Sequence, residues 1–246
     1  AQVGATTIAE LVEKNGGMAK CLADYAQKVV ADPRYAAAKN QGRPRRVDSK
    51  LWMFDCLSCD KCIAVCPNDA NFAVNTPQVD PIPVSDVVLR DKGTLVHEPA
   101  DPFALRENVQ IANFADACNE CGNCDIFCPE WGGPYKLKPR FFSSLQSYQV
   151  AHMQDGFVVS AGRIQGRISG VEHTLVFGDT SDVFDDGEIA VSVGKTGSLE
   201  SAQIVGKPSV GHRLRLWNYF AMRTLYHALS QSSNFVSAST LSPVRR

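Results

Sequence analysis

The chain has 246 residues, of which 44% are hydrophobic, and a formal net charge of −1. This composition fits a soluble protein of one or two domains, and the balanced charge excludes the basic field that nucleic-acid binding requires. No apolar run approaches the ~18 residues of a membrane helix, so no membrane span is predicted.

Residues 1–47 are predicted to form a helical segment followed by a basic linker. Thr7 and Glu10 are spaced as a capping box at the start of a first short helix. Apolar residues recur at helical spacing over residues 18–30, which predicts a second helix that ends at Asp32-Pro33.

A basic stretch follows a short third helical piece, predicted over residues 35–39. Between residues 39 and 50 the cations outnumber the acidic residues: Lys39, Arg43, Arg45, Arg46 and Lys50 stand against Asp48. A solvated linker is the favoured interpretation. The alternative is a docking site for an acidic partner or for a flavin or nicotinamide phosphate, which guanidinium groups bind well.

Two copies of one cysteine pattern dominate the chain. They read Cys56-Leu-Ser-Cys59-Asp-Lys-Cys62-Ile-Ala-Val-Cys66-Pro67 and Cys118-Asn-Glu-Cys121-Gly-Asn-Cys124-Asp-Ile-Phe-Cys128-Pro129. This spacing holds [4Fe-4S] clusters in bacterial-type ferredoxins, where the fourth cysteine of each run binds the other cluster. One predicted cluster is therefore bound by Cys56, Cys59, Cys62 and Cys128, and the other by Cys118, Cys121, Cys124 and Cys66.

Zinc and disulfides are the alternatives to iron-sulfur clusters. Structural zinc sites combine one C-x2-C pair with a distant second pair. In this chain a third cysteine follows each pair after only two residues. Cys21 lies far from both motifs, in the second predicted helix, and is interpreted as a small buried or half-buried apolar residue. Eight neighbouring thiolates fit a reducing compartment, which predicts a cytoplasmic protein.

The 51 residues between the motifs, 67–117, are predicted to be an insertion. Six of the thirteen prolines fall there, so extended backbone is expected, with strands over residues 84–89 and 94–97. The insertion could cover a cluster, contact another subunit or form irregular surface. Apolar residues near the motifs are predicted to wall the clusters: Phe54, Leu57, Ile63, Val65, Phe114, Ile126, Phe127 and Trp131.

The chain becomes strand-rich after Arg140. Strands are predicted over residues 157–159, 163–168, 171–177 and 188–193, which form a small antiparallel sheet or barrel. An amphipathic helix is predicted over residues 212–229, with an apolar face made by Leu214, Trp217, Ala221, Leu225 and Leu229. The acidic residues Asp182, Asp185, Asp186 and Glu188 lack calcium-loop spacing, so a solvated turn is favoured over a calcium site.

The predicted fold class is therefore α+β. Residues 48–142 form a two-cluster ferredoxin-like domain that carries the insertion, residues 143–211 form a β-rich region, and residues 212–246 form a helix and a serine-rich tail. Five scattered histidines, without a nucleophile pattern or a nucleotide-binding loop, predict no substrate-catalytic site in this chain.

Two stretches of the cysteine region carry a family resemblance. They are Cys59-Asp-Lys-Cys62-Ile-Ala-Val-Cys66-Pro-Asn-Asp-Ala-Asn-Phe72 and Cys118-Asn-Glu-Cys121-Gly-Asn-Cys124-Asp-Ile-Phe-Cys128-Pro-Glu-Trp-Gly-Gly-Pro-Tyr135, followed by Lys138-Pro-Arg-Phe141. Residues 50–142 resemble the iron-sulfur region of the putative selenate reductase family. Its members are large flavin-linked relatives of dihydropyrimidine dehydrogenase and of the glutamate synthase small subunit.

The resemblance implies a two-cluster module that passes single electrons between a flavin and another redox centre. FAD or FMN and NAD(P)H are then expected in a partner protein or in the rest of a larger chain, and the substrate stays open. The chain would be the C-terminal part of such an enzyme or a separate subunit. The alternative function is a structural or assembly module whose clusters stabilise an interaction surface.

The partner is expected to be a flavin-containing oxidoreductase subunit. The interface is predicted on the apolar face of the helix at 212–229, with Trp217 as an aromatic anchor, or on the insertion at 67–117.

Overall fold

The structure is a computed structural model that describes residues 13–40, 46–231 and 236. The predicted helix at Thr7, the linker residues Arg43 and Arg45, and most of the predicted tail lie outside the described residues. The chain divides into two compact units, Ala1–Val47 and Asp48–Arg246. Within the described ranges, no helix combines the length and hydrophobicity needed to cross a membrane.

The first unit is helical, as predicted. Helix α1 covers Met18–Ala31, and Asp32 ends it in extended backbone before Pro33, as expected for a residue that precedes proline. A 3₁₀ turn, Pro33–Tyr35, and the short helix α2, Ala37–Asn40, follow. No residue of α1 is buried, and Cys21 is half-buried.

The described residues of the second unit contain twelve strands. In chain order they are β1 Asn71–Asn75, β2 Val79–Leu89, β3 Leu95–Leu105, β4 Val109–Phe114, β5 Arg140–Phe142, β6 Gly156–Ser160, β7 Arg163–Ile168, β8 Val171–Phe177, β9 Ser181–Asp185, β10 Ile189–Gly194, β11 Leu199–Ile204 and β12 Arg213–Leu214. Nine of them form one mixed sheet in the order β1-β4-β5-β6-β7-β8-β9-β10-β11, and the other three form a sheet in the order β12-β2-β3. All pairings are antiparallel except β4–β5 and β5–β6.

Short helices connect these strands. They are α3 Lys61–Ala64, α4 Asn123–Phe127, α5 Pro134–Leu137 and α6 Leu145–Val150, with 3₁₀ turns at Asp91–Gly93 and Ala115–Ala117. The long helix α7 covers Leu216–Ser230.

The four strands predicted after Arg140 are confirmed as β6, β7, β8 and β10. They do not form a small separate sheet, because β5 joins them to β4 and β1 through parallel pairing with both β4 and β6. The same sheet therefore contains strands from both sides of the boundary predicted after residue 142.

The segment between the cysteine motifs is not irregular surface. It contains β1 and β4 of the large sheet and the long hairpin β2–β3. The predicted strands at 84–89 and 94–97 are parts of this hairpin. Its apolar residues Val84, Val87, Phe103 and Leu105 are buried in the main core, which explains why the segment is ordered despite its prolines.

The predicted amphipathic helix differs from α7 in two respects. It begins at Leu216 rather than at 212, because Arg213 and Leu214 pair with β2 as a strand. Its apolar residues lie on almost every side, and among its fifteen residues only His227 and Ser230 are exposed. The large sheet and the β2–β3 hairpin cover the helix, so its predicted use as a partner interface is wrong.

The start of α7 depends on Asp86, a buried residue of β2. One oxygen of the Asp86 carboxylate accepts a hydrogen bond from the Leu216 backbone N–H at 3.1 Å, and the other accepts one from the Arg213 guanidinium at 3.2 Å. Asp86, which lies between the two cysteine motifs, thus satisfies a backbone donor in the first turn of α7.

The acidic residues after β8 are not a solvated turn. Asp182 is fully buried and accepts hydrogen bonds from Lys195 Nζ at 2.6 Å and Tyr219 Oη at 3.0 Å. Asp186 contacts His212 Nε2 at 2.7 Å. The prediction of solvation is wrong for Asp182 and Asp186, because Asp182 of β9 is buried against the Tyr219 hydroxyl of α7 and Asp186 contacts His212.

Candidate functional site

The pairing of β1 with β4 brings the two cysteine motifs together. Strand β1 follows the first motif and β4 precedes the second, and their antiparallel register sets Asn71 opposite Asn113. The Phe114 backbone N–H also donates to the Ala70 carbonyl oxygen at 2.7 Å. The end of one motif and the start of the other are therefore neighbours in space.

A second set of contacts joins the outer ends of the motifs. The Leu51 N–H donates to the Trp131 carbonyl at 2.8 Å, and the Trp131 N–H donates to the Ser49 carbonyl at 3.0 Å. The Glu130 carboxylate accepts hydrogen bonds from Ser49 Oγ at 2.9 Å and from the Leu57 N–H at 3.2 Å. These contacts hold Cys128 next to the chain that enters the first motif.

The two motifs follow the same backbone path. Ser58 and Asp60 have positive φ angles of 46° and 57°, and the equivalent residues Glu120 and Gly122 have φ angles of 56° and 79°. Positive φ is uncommon in residues other than glycine, and such alternations turn backbone N–H groups toward one concavity, which favours anions and iron-sulfur centres. Helices α3 and α4 begin directly after these turns and lie against each other.

The burial of the cysteines also repeats from motif to motif. Cys59 and Cys121 are exposed, whereas Cys62 and Cys124, at the starts of the paired helices, are buried. Cys56, Cys118 and Cys66 are half-buried, and Cys128 is buried. Each motif thus exposes its second cysteine and buries its third, whereas the fourth is half-buried in the first motif and buried in the second.

A cavity is lined by all four cysteines predicted to bind the first cluster, namely Cys56, Cys59, Cys62 and Cys128. Burial raises the pKa of the Cys128 thiol, the Glu130 backbone N–H opposes that shift, and repulsion from Cys59 and Cys56 adds to it. Cys128 of the second motif is therefore close to thiols of the first.

The complementary grouping occurs around Cys124. Burial raises the pKa of its thiol, the Tyr135 N–H and the Asn71 side chain lower it, and Cys118 and Cys66 raise it further. The Ala70 N–H donates to Cys66 Sγ at 3.3 Å. Cys118 and Cys66 are thus within electrostatic range of Cys124, while the place of exposed Cys121 rests on motif spacing.

The donor set fits a polynuclear cluster better than unligated thiols. Burial raises the pKa of Cys62 strongly, and repulsion from Cys56, Cys59, Cys124 and Cys128 adds to this effect. Thiolates in such a low-dielectric site need a cationic centre to remain ionised. In the part of the chain that the structure describes, no three Cys, His, Asp or Glu side chains converge on a single ion. A [4Fe-4S] cluster differs from such a site, because each of its thiolates binds a different iron.

The apolar wall of the site differs from the predicted one. Ile111, Ile63 and Tyr135 pack with Cys62, Cys124 and Cys56. Ile63 is thus confirmed as a wall residue, and Leu57 lines the first cavity although it is largely exposed. Two other predicted wall residues, Ile126 and Trp131, are instead exposed, and Phe54 belongs to the main core. Ile111 was missed because it lies in β4, far from the motifs in sequence, and only the β1–β4 pairing brings it to the thiols.

Two polar residues at the site were also missed. The buried Asn71 donates its Nδ2 hydrogen to the Cys62 carbonyl at 2.8 Å and accepts from Asn113 Nδ2 at 2.9 Å. Lys138 lines the first cavity and is 2% exposed. Burial lowers the pKa of its ammonium group, while Cys56 and Glu130 raise it.

Comparison with known proteins gives one partial similarity. The chain is 31% identical over 111 residues to the protein described as "Putative oxidoreductase YgfK" from Escherichia coli K12, and equally to that from strain O157:H7. The match covers 45% of this chain and 8% of each relative, so the chain spans a small part of their length. No family model and no solved structure matches.

Proposed function

We propose that this chain is an electron-transfer iron-sulfur module of a flavin-linked oxidoreductase, either a subunit or part of a longer polypeptide. Two [4Fe-4S] clusters would carry single electrons, which is the chemistry that such clusters supply when bound. The proposed ligands are Cys56, Cys59, Cys62 and Cys128 for the first cluster and Cys118, Cys121, Cys124 and Cys66 for the second.

The observation that supports this proposal is that cysteines of the two motifs lie close together. Cys128 lines one cavity with the three leading cysteines of the first motif, and Cys66 lies near Cys124 of the second. Two-cluster ferredoxins use an exchange of cysteines between their motifs. A pair of independent sites would not need it, because each motif would then keep its own fourth cysteine.

The residues around the thiols have defined roles in this proposal. Hydrogen bonds from the Ala70, Glu130 and Tyr135 backbone N–H groups would stabilise the more negative state of each cluster. Ile111 and Ile63 would keep water from the buried side. The exposed sides, at Cys59 and Cys121, would be where a redox partner approaches.

The flavin and nicotinamide are proposed for a partner or for another part of a longer chain. The support is the similarity to an oxidoreductase many times longer than the matched segment, together with the family resemblance of the cysteine region. Because α7 is buried within this chain, the partner surface is proposed around the exposed ends of the cysteine motifs rather than on the helix.

Ligand exchange is tested with Cys128→Ser and Cys66→Ser, purified without oxygen. We expect Cys128→Ser to damage the cluster held by the first motif and Cys66→Ser the one held by the second, with about four of eight irons lost in each case. Iron analysis and EPR spectra of the dithionite-reduced protein measure this. The matched control, Cys21→Ser, should keep about eight irons per chain. Damage by Cys66→Ser to the first-motif cluster alone would exclude the crossed arrangement.

The same spectra separate electron transfer from a purely structural role. Only a small group of apolar residues, which includes Ile111, packs around the thiols. This observation favours the alternative function, in which the iron-sulfur clusters mainly stabilise the fold. Two interacting signals after reduction, with electrons accepted from a reduced flavoprotein, support electron transfer. Clusters that resist reduction at accessible potentials would favour the structural module.

A further inference from the structure

Lys138 is a buried lysine whose ammonium group lies in the wall of the first cavity. The residue is 2% exposed, and its Nζ atom donates to no nitrogen or oxygen atom of the described residues; the group that its side chain faces is the Cys56 thiol. The four thiols proposed to bind the first cluster line the same cavity. A buried ammonium without a partner is costly, so lysine is rarely found fully buried unless it is paired with a negative charge.

The backbone fixes Lys138 at this position. It directly follows α5, its N–H donates to the Pro134 carbonyl at 3.0 Å, and Pro139 prevents the helix from continuing. Pro134 itself lines the cavity. The side chain therefore enters the site from a constrained turn and not from a loop that could turn it toward solvent.

Negative charge near Lys138 comes from Cys56 and Glu130. The Glu130 carboxylate already accepts hydrogen bonds from Ser49 Oγ and the Leu57 N–H. The thiol of Cys56 is a proposed cluster ligand and lies close to the Lys138 side chain, so the charge of a bound cluster would lie next to the ammonium group.

The second site has a different cation. Arg140 shares a cleft with Cys118, but its guanidinium Nη1 forms a 3.1 Å ion pair with Glu120 Oε1. That pair offsets the positive charge of Arg140. The two sites thus share their backbone path but differ in the cation next to the thiols, because the Arg140 guanidinium is held in a direct ion pair while the Lys138 ammonium lies near Cys56 and Glu130.

We propose that Lys138 is the counter-charge of the first cluster and raises its reduction potential above that of the second. The inference rests on the proposed function. Reduction adds one electron to the first cluster, supplied by dithionite in the test and by a reduced flavin in a complex, and no bond forms or breaks at Lys138. Net charge near a cluster is a main determinant of its potential, and a nearby cation favours the reduced state.

The test is an anaerobic redox titration followed by EPR, on Lys138→Met, Lys138→Gln and Lys138→Arg. The signal of the first cluster is assigned from its loss in Cys128→Ser. The neutral variants should lower the midpoint potential of the first cluster and leave the second unchanged, which narrows the gap between them. Lys138→Arg keeps the charge and should keep the gap. The matched control is Lys136→Met, which removes an exposed ammonium two residues away.

Each outcome decides the proposal. If both clusters are present in the neutral variants and the difference between their midpoint potentials stays unchanged, the proposal is overturned. If the neutral variants lose only the first cluster, restored loading in Lys138→Arg supports a counter-charge, and failure of Lys138→Arg to load overturns it. Loss of both clusters in all three variants shows a structural role and also overturns it. Wild-type protein without clusters would instead refute the proposed function, so the two failures are distinguishable.

Discussion

The cysteine region and the region around α7 are stabilised in different ways. Around α7, large side chains such as Tyr219, Leu225, Phe103 and Phe184 are almost fully buried against both sheets. Around the cysteines, the buried cluster is small, and thiols occupy positions that aliphatic residues would fill elsewhere. One region has a large apolar core of its own, whereas the other has little apolar burial beyond its thiols.

In the proposed function, one fold therefore combines the region around α7, which its own apolar core stabilises, with the cysteine region, which a bound cofactor stabilises. Positive φ angles at Ser58, Asp60 and Glu120 strain the backbone of the cysteine turns, and little apolar burial there offsets that strain. In the proposed function, the clusters provide the missing stabilisation.

Removal of the clusters should have the largest effect and should be confined to one region. After treatment with an oxidant and a chelator, we expect amide hydrogen exchange to become fast over residues 49–66 and 118–138. Strands β7–β10 and α7 should stay protected, because their core contains no proposed ligand. Mass-spectrometric hydrogen exchange on treated and untreated protein measures this. A uniform loss of protection across both regions would contradict the comparison.

Leu225→Ala should lower the stability of the region around α7. Leu225 is fully buried in α7, so truncation should lower the free energy of unfolding by about 2–5 kcal/mol, from lost burial and the cavity left behind. Iron per folded chain should stay unchanged, because no proposed ligand contacts this position. Denaturant unfolding and iron analysis provide the two measurements. Ser230→Ala, at an exposed position of the same helix, is the control, and loss of clusters in Leu225→Ala would show that the regions are coupled.

Acid should destabilise the sheet through His173, by the smallest of the three effects. Burial lowers the pKa of this histidine from 6.5 to about 4, against a weaker opposing effect of Asp186 and Glu172. Below pH 6.5 the unfolded chain therefore binds a proton that the folded chain does not. This contribution to stability is present above pH 6.5 and is lost as the pH falls toward 4, by up to about 3 kcal/mol.

The measurement is the free energy of unfolding in urea at about pH 7, 6 and 5, for the wild type and for His173→Gln. Acid damage to clusters affects both proteins equally, so their difference isolates the histidine. We expect a shallower pH dependence in His173→Gln, whereas exposed His152→Gln should behave as the wild type does. Equal slopes in wild type and His173→Gln would mean that His173 does not resist protonation.

Local patterns in the sequence predicted the local structure well. Strands β7 and β8 match the predicted bounds, because Gly162, Ser169-Gly170 and Gly178 mark their turns and alternating apolar residues fill them. Helix α1 follows from the apolar spacing before Asp32-Pro33. The cysteine spacing likewise identified the candidate site, since the exchange of Cys66 and Cys128 is already implied by the repeat.

Features that depend on distant partners could not be predicted. Strand β5 has three residues and exists because β4 and β6 flank it. The predicted start of α7 at residue 212 was too early. The strand pairing of Leu214 with Val87 delays the helix, and this pairing cannot be read from the local sequence. Lys138 gave no signal, since burial of a lysine runs against every hydropathy-based expectation. Each miss is a tertiary contact that overrides a local preference.

The hydrogen bond from Leu216 to Asp86 limits how the molecule can be dissected. A fragment that ends before Leu216 would leave the buried Asp86 carboxylate without that donor and would expose Val87 and Phe103 to water. The β2–β3 hairpin and α7 thus stabilise each other, although they lie far apart in the sequence. Protein engineers who want a minimal electron carrier from this scaffold should redesign the hairpin and α7 together rather than cut them away.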